Sequence, residues 1–299
     1  MIIFVDENDE NKRLDSYLSE ITPDFSRSKI QNFIKDGCVK INDSAKKPSY
    51  QLKLNDKIDF EIPEAVDLEI KPQNLPLNIL YEDENMLVVN KPSGMLTHPT
   101  TVERENTLVN ALLYKYGNNL SDINGDYRRG ILHRLDRNTS GLLMIAKNNK
   151  AHEFLAQQIK DHTITKKYRA IVKGVINKDN FEINEPIGRN PNQPHKMMVR
   201  EDGKPSKTLV KVIERFNDAT YVDLTLVTGR THQIRVHMNY IGYPIVNDPV
   251  YGKRKIIDNT GQCLHAKELG FIHPTTGKYM QFTSELPECF INILNKFKD

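Results

Sequence analysis

The chain has little cysteine, no long apolar run and no phosphate-binding loop of the nucleotide-cofactor kind. Its three cysteines, Cys38, Cys263 and Cys289, are far apart and odd in number. They form neither a disulfide framework nor a CxxC metal pair, and a reducing cytoplasm is the expected compartment. No stretch approaches the roughly 20 apolar residues of a membrane span. The opening MIIFVDENDENKRLD lacks the basic-then-apolar order of a secretory signal. Neither GxGxxG nor a P-loop occurs, so a dinucleotide cofactor and NTP hydrolysis lose their usual support. Internal repeats and low-complexity tracts are also missing.

What remains is an ordinary globular composition, 38% hydrophobic and 27% charged over 299 residues, enough for one or two domains with real cores. The net charge of +3 is small, but its distribution is uneven. Residues 127–176 carry eleven Lys/Arg and three Asp/Glu, a net of +8, whereas residues 61–110 carry three against nine, a net of −6. A local positive field of that kind suits a polyanionic partner.

Residues 1–62 read as a small unit. Leu14, Leu18 and Ile21 recur at helical spacing. Ser28 is a candidate cap for a second helix with Ile30, Phe33 and Ile34 on one face and Gly37 as its stop. Val39 and Ile41 alternate as a strand before an Asn42-Asp43 turn. Leu52 with Leu54, and Ile58, Phe60 and Ile62, suggest two more strands around Asn55-Asp56. Acids slightly outnumber bases here, twelve to ten, but residues 27–53 hold seven Lys/Arg and only Asp36 and Asp43. The candidate polyanion-binding surface is therefore Arg27, Lys29, Lys35, Lys40, Lys46 and Lys47, with a merely solvated face as the alternative. Residues 63–77, with Pro63, Pro72 and Pro76, read as a linker. Residues 78–299 form the second unit. Helices are expected from Thr107, carrying Leu108, Leu112 and Leu113, and over Ala151–Ile159. Short alternating runs such as Val222-Leu224-Leu226 indicate an α+β domain on a largely antiparallel mixed sheet with flanking helices, not a βαβ array.

The most informative stretch is His133-Arg134-Leu135-Asp136-Arg137-Asn138-Thr139-Ser140-Gly141-Leu142-Leu143. A polar island between apolar runs reads as a turn that presents side chains at its tip. A carboxylate beside guanidinium groups stays ionised, and such a group can act as nucleophile or general base. By itself, an Asp–Arg turn is more often structural. Tyr168 lies on a predicted strand, where a ring can stack on a base, although most strand tyrosines are core. Thr231 is a candidate N-cap for a helix carrying Ile234, Met238 and Ile241, with Gly242 as its stop, which sets Arg235 near the helix start after strand 221–228. His232 and His237 do not suggest a metal site. On a helix they diverge by about 140°, on a strand they face opposite sides, and no acid or cysteine completes a set.

The HRLDRNTSGLL stretch resembles the signature of the RluA-type (large-subunit ribosomal RNA) pseudouridine synthases, with Asp136 at the catalytic aspartate. Three further stretches match in order: Asp83–Gly94 with His98-Pro99, Lys167-Tyr168-Arg169-Ala170, and Gly229-Arg230-Thr231-His232-Gln233-Ile234-Arg235-Val236-His237. The resemblance spans about residues 78–285. It departs slightly at Val246-Asn247-Asp248, where Asn247 replaces a frequent glycine but tolerates positive φ. Arg13-Leu14-Asp15 and Ser26-Arg27-Ser28, within two helices and a small sheet, resemble an S4 RNA-binding domain.

The resemblance implies isomerisation of uridine in structured RNA, most simply large-subunit ribosomal RNA: the N1–C1′ bond breaks, the uracil rotates, and a C5–C1′ bond forms. No cofactor is implied. Asp136 would attack the ribose or the uracil, or abstract a proton. Tyr168 would lie against the uracil, and Arg235 would orient Asp136, with Arg230 a competitor for that task. Arg134 would fill the space that the flipped base vacates or steady the flipped backbone. His133 would hydrogen-bond behind the site, Thr139, His232 and Gln233 would bind substrate, and Leu264, beside His265, would line the uracil pocket. A monomer in contact with RNA and no membrane is expected. The rival reading is a non-catalytic RNA-binding assembly factor, against which the intact Asp136–Tyr168–Arg235 set argues.

Overall fold

The structure, a computed structural model, describes residues 1–23, 25, 27–62, 70–252 and 256–298. The chain divides into two compact units, Met1–Glu69 and Ile70–Asp299.

In the smaller unit, α1 (Leu14–Ile21) and α2 (Arg27–Lys35) accompany a sheet of β1 (Ile2–Phe4), β2 (Val39–Ile41), β3 (Ser44–Ala45) and β4 (Lys57–Phe60), in the order β1-β4-β2-β3. One core joins Leu14 and Leu18 of α1, Ile30 and Ile34 of α2, and Val39, Ile41, Ile58 and Phe60 of the strands. Asn42 and Asp43 both take positive φ, 48° and 62°, as a two-residue hairpin loop requires. Gly37, at φ 83°, ends α2, and Cys38 N–H closes the stop on Phe33 O at 2.9 Å.

Three local expectations change. Ser28 does not cap α2, because the helix already begins at Arg27; residue 26 lies outside the described residues. Leu52 and Leu54 do not form a strand. Asp56 accepts the Lys53 N–H at 3.0 Å, and Asp56 N–H bonds Lys53 O at 3.0 Å, so the segment is a turn in which Leu52 is buried and Leu54 exposed. Ile62 stands outside β4 and is exposed. The edge strand β1, exposed along most of its length, has too little alternation to be read from sequence. Of the proline-bearing linker, residues 63–69 lie outside the described residues. The remainder packs on the larger unit: Ile70 is buried in its core, Gln73 N–H bonds Asn110 O at 3.0 Å, and Asn110 Nδ2 donates to Lys71 O at 2.8 Å.

The larger unit is built on a nine-stranded mixed sheet. Its strands are β5 (Asn78–Glu82), β6 (Met86–Lys91), β7 (Ser140–Ala146), β8 (Thr165–Lys173), β9 (Asn180–Asn184), β12 (Lys207–Arg215), β13 (Ala219–Leu226), β14 (Leu264–Ile272) and β15 (Tyr279–Thr283); β10 (Ile187–Arg189) and β11 (Met197–Val199) pair separately. The order is β5-β6-β7-β14-β8-β13-β12-β9, with β15 joined to β14. Among these pairs only β7–β14 is parallel. Every residue of β7 is buried, as befits a central strand covered on both faces. Leu143 and Ile145 enter a core with α3 (Leu108–Tyr116), α5 (Gln233–Tyr240) and α6 (Glu288–Asn295), while Leu142 and Met144 face Leu155 of α4 (Asn149–Lys160). Thr107 and Asn110 form a capping box on α3, and Asn148 caps α4. Gly141 has φ 117°, and a Cβ there would collide with the Ala266 backbone; only glycine lets β14 come this close to β7. Among the described residues, no helix is long and apolar enough to cross a membrane.

Candidate active site

Asp136 stands on the turn that leads into β7, where Thr139 N–H bonds Asp136 O at 3.0 Å. The turn is held from behind by the segment after β6. Lys91 Nζ donates to Pro92 O, Met95 O and Arg137 O at 2.9, 2.7 and 3.0 Å. Thr97 Oγ1 donates to Leu135 O at 2.9 Å, and Gly94 N–H bonds Arg137 O at 3.0 Å. The early motif is thus the scaffold of the Asp136 turn, a role its sequence does not announce.

Neither arginine beside Asp136 in sequence forms an ion pair with it. Arg137 pairs with Glu103, and Arg134 is exposed. The partner is Arg235, 99 residues away, whose Nη1 donates to Asp136 Oδ2 at 2.8 Å. Arg235 is fixed in turn by Asp248, through Nε to Oδ2 at 2.7 Å and Nη2 to Oδ1 at 2.9 Å. Asp248 also accepts Val250 N–H at 2.8 Å and Tyr251 N–H at 3.0 Å. The Arg235 and Asp248 side chains are 5% and 0% exposed. Burial disfavours both charges, but their mutual bonds raise the Arg235 pKa and lower that of Asp248, so both stay charged. Asn247, at φ 63°, makes the turn that delivers Asp248, in keeping with asparagine's tolerance of that region. The anchoring role of Asp248 was not evident from sequence; its signal was an acid in a turn one helix beyond the arginine motif.

The arginine motif is organised differently from the expected cap. Thr231 does not cap α5. Its N-cap is His232, at φ 55° and without a side-chain cap bond. Gln233 ties down the segment ahead of the helix, its Oε1 accepting from Arg230 N–H at 3.0 Å and Thr228 Oγ1 at 2.8 Å. His232 Nδ1 meets the Tyr251 hydroxyl at 2.9 Å, and its Nε2 lies 3.8 Å from Asp136 Oδ1. Both ring nitrogens of His237 are engaged, with Thr208 Oγ1 and Glu185 O, each at 2.9 Å.

A cavity of about 230 Å³ opens over this ion pair. Asp136, Tyr168, Arg235, Arg134, His133, Thr139, Arg230, His232, Gln233 and Leu264 all line it, so the separate motifs converge on one site. Lys166, Leu226 and Ile159 also line it and were not singled out as site residues by sequence. Tyr168 enters from β8; burial, and then the Asp136 charge, push its phenol upward, so it keeps its proton. Burial, and then Lys166, push the His133 imidazole down to about 3. Its neutral Nε2 accepts Met144 N–H at 3.1 Å. Thr139 Oγ1 accepts from Gln262 Nε2 at 3.0 Å. His265 is a core residue between Ser140 Oγ and Ser284 Oγ, at 2.8 and 2.7 Å.

In the small unit, five of the six candidate RNA contacts are lysines on the exposed surface. Arg27 is already committed, with Arg13 and Gln31, to the buried Asp15 carboxylate, Nη2 to Oδ1 at 3.1 Å. Lys29 lies 4.7 Å from the Phe25 ring centroid and Lys46 5.5 Å from that of Tyr50.

Residues 85–240 match the family model for RNA pseudouridylate synthase, and residues 12–58 match the S4 domain. An uncharacterised RNA pseudouridine synthase of Bacillus subtilis is 46% identical over 99% of this chain and 97% of its own. A ribosomal large subunit pseudouridine synthase D of Zymomonas mobilis is 41% identical over 92% and 90%. The solved structure of human RNA pseudouridylate synthase domain containing 1 superposes with a TM-score of 0.59 at 26% identity, covering 76% of this chain and 96% of the human one. A two-unit chain that matches both domain models in this order belongs to the RluA-type RNA pseudouridylate synthases that carry an N-terminal S4 domain.

Proposed function

We propose that the substrate is large-subunit ribosomal RNA and that Asp136 is the carboxylate that acts on the flipped-out uridine. The observation that carries this reading is the Asp248–Arg235–Asp136 chain at the base of the cavity. Arg235 occupies Oδ2 of Asp136, and Oδ1 makes no hydrogen bond to a described residue, so one oxygen is held and the other is available to the nucleotide. Tyr168 stands as the wall for the uracil and Leu264 as its apolar neighbour. Arg134, exposed at the rim, takes the place the base leaves in the RNA stack. The large-subunit substrate is supported by what the Zymomonas relative is named for. The test is a map of pseudouridines in total RNA from cells lacking this protein. Large-subunit positions should lose the modification and regain it with the wild-type gene but not with Asp136→Asn. Loss confined to transfer RNA would reject the substrate assignment.

Two expected results refine the roles. Tyr168→Phe should bind RNA within about twofold of wild type, since the ring is kept, and should slow kcat by roughly 10²-fold if the hydroxyl moves a proton. Wild-type turnover in single-turnover kinetics would confine Tyr168 to packing. In the S4 unit, Lys35, Lys40 and Lys47 are exposed and make no ion pair with a described residue. Changing all three to glutamine should lower the slope of log affinity against log salt by about 0.7 to 0.9 for each phosphate no longer neutralised, the upper figure being that for duplex DNA. Filter binding to a ribosomal RNA transcript over a salt series measures it, and an unchanged slope would make these lysines a solvated face.

A further inference from the structure

Two cations in the cavity wall take no part in holding Asp136. Lys166 is 8% exposed, and its Nζ sits beside Gly229, where an added Cβ would lie 3.5 Å away. Arg230 gives its Nε to Pro205 O at 3.1 Å and has its terminal nitrogens left over. Among the described residues, no acid pairs with either group. Burial, and then the Arg230 charge, push the Lys166 ammonium downward. A buried cation next to a second cation is costly unless an anion completes the set.

Strand geometry supplies the position of that anion. Lys166 and Tyr168 are both buried in β8 with partly exposed residues between and beside them, so they share a face, about 6.6 Å apart along the strand. A uracil against Tyr168 leaves its own sugar–phosphate roughly one such repeat away, at the level of Lys166. Arg230, on the loop between β13 and α5, lines the same cavity. We infer that Lys166 and Arg230 form an anion subsite that grips one backbone phosphate of the flipped-out nucleotide. This rests on the reading of the cavity as the uridine site. Its effect is to fix the sugar while the uracil, once detached, is free to turn against Tyr168. The base-specific and the phosphate-specific contacts are thereby divided between two residues of one strand.

The experiment uses the full chain and an unmodified large-subunit ribosomal RNA transcript made in vitro. Lys166→Met should raise KM roughly tenfold, the effect of removing one charge-assisted hydrogen bond, with kcat within about twofold. It should also lower the salt slope of equilibrium binding by about 0.7 to 0.9, the share of one neutralised phosphate. Lys166→Arg, which keeps the charge, should retain the wild-type slope, and a thermal melt checks that both variants fold. An unchanged slope in Lys166→Met, or an effect confined to kcat, would overturn the subsite. If the wild type binds the transcript but makes no pseudouridine, the substrate reading fails instead. The binding slopes, which need no turnover, still decide the subsite.

Discussion

Asp136→Asn is expected to fold and to bind RNA like the wild type while losing isomerisation by roughly 10³-fold or more, a loss of the size assigned to removing a reacting acid–base group. Shape and the turn are preserved, because Thr139 N–H bonds the Asp136 backbone carbonyl and not its side chain. Folding should survive because Arg235 keeps its two bonds to Asp248, so no buried charge is left without a counter-ion. Circular dichroism and a melt check the fold, and tritium release from RNA carrying C5-labelled uridine checks the chemistry. Substantial turnover in a verified Asn variant would remove Asp136 from its assigned role.

Arg235→Lys should cost both activity and stability. The guanidinium makes three bonds to two carboxylates, one of them fully buried. A single ammonium cannot reproduce the paired contact with Asp248 and still reach Asp136. Loss of the guanidinium leaves part of a buried carboxylate unmatched, for which about 3 kcal/mol of stability is the expected cost; kcat should fall by roughly 10²-fold as Asp136 loses its fixed position. Arg230→Lys keeps a cation at the cavity wall and should leave stability within about 0.5 kcal/mol. Urea denaturation and single-turnover rates on the two variants distinguish them. A dead Arg230→Lys beside a fully active Arg235→Lys would mean that the wrong arginine has been placed against the aspartate.

The convergence of motifs was legible because each carries its function in a short run: Asp136 with its turn, Tyr168 on a strand, Arg235 at a helix start. What holds them was less legible. Arg134 and Arg137 flank Asp136 in sequence, yet the pairing goes to Arg235, because a turn tip points its neighbours away while a helix start beneath it points a guanidinium inward. Asp248 and Lys91 act through buried contacts between distant segments, and nothing local distinguishes such a side chain from a surface one. Lys166 reads as one more member of a basic run until the burial of β8 turns it inward. Thr231 gave a false cap because α5 starts one residue later, with His232 at its N-cap and no side-chain cap bond. In the small unit, the alternation of Leu52 and Leu54 imitated a strand, but only Leu52 is buried, and Leu54 is exposed on a turn closed by Asp56.

The position of β14 has a consequence for synthesis on the ribosome. This strand lies between β7 and β8, yet it is made about 120 residues after the first of them and more than 90 after the second. Until residues 264–272 have emerged, β7 can pair only with β6 and β8 only with β13, and two strand edges rich in apolar residues stand open. At about 5–20 residues per second, that interval lasts several seconds. Such edges invite pairing with other chains. A nascent chain stalled before residue 264 should therefore expose sticky edges to chaperones, lack the Leu264 wall of the cavity, and gain a continuous sheet only when residues 264–272 thread into its middle.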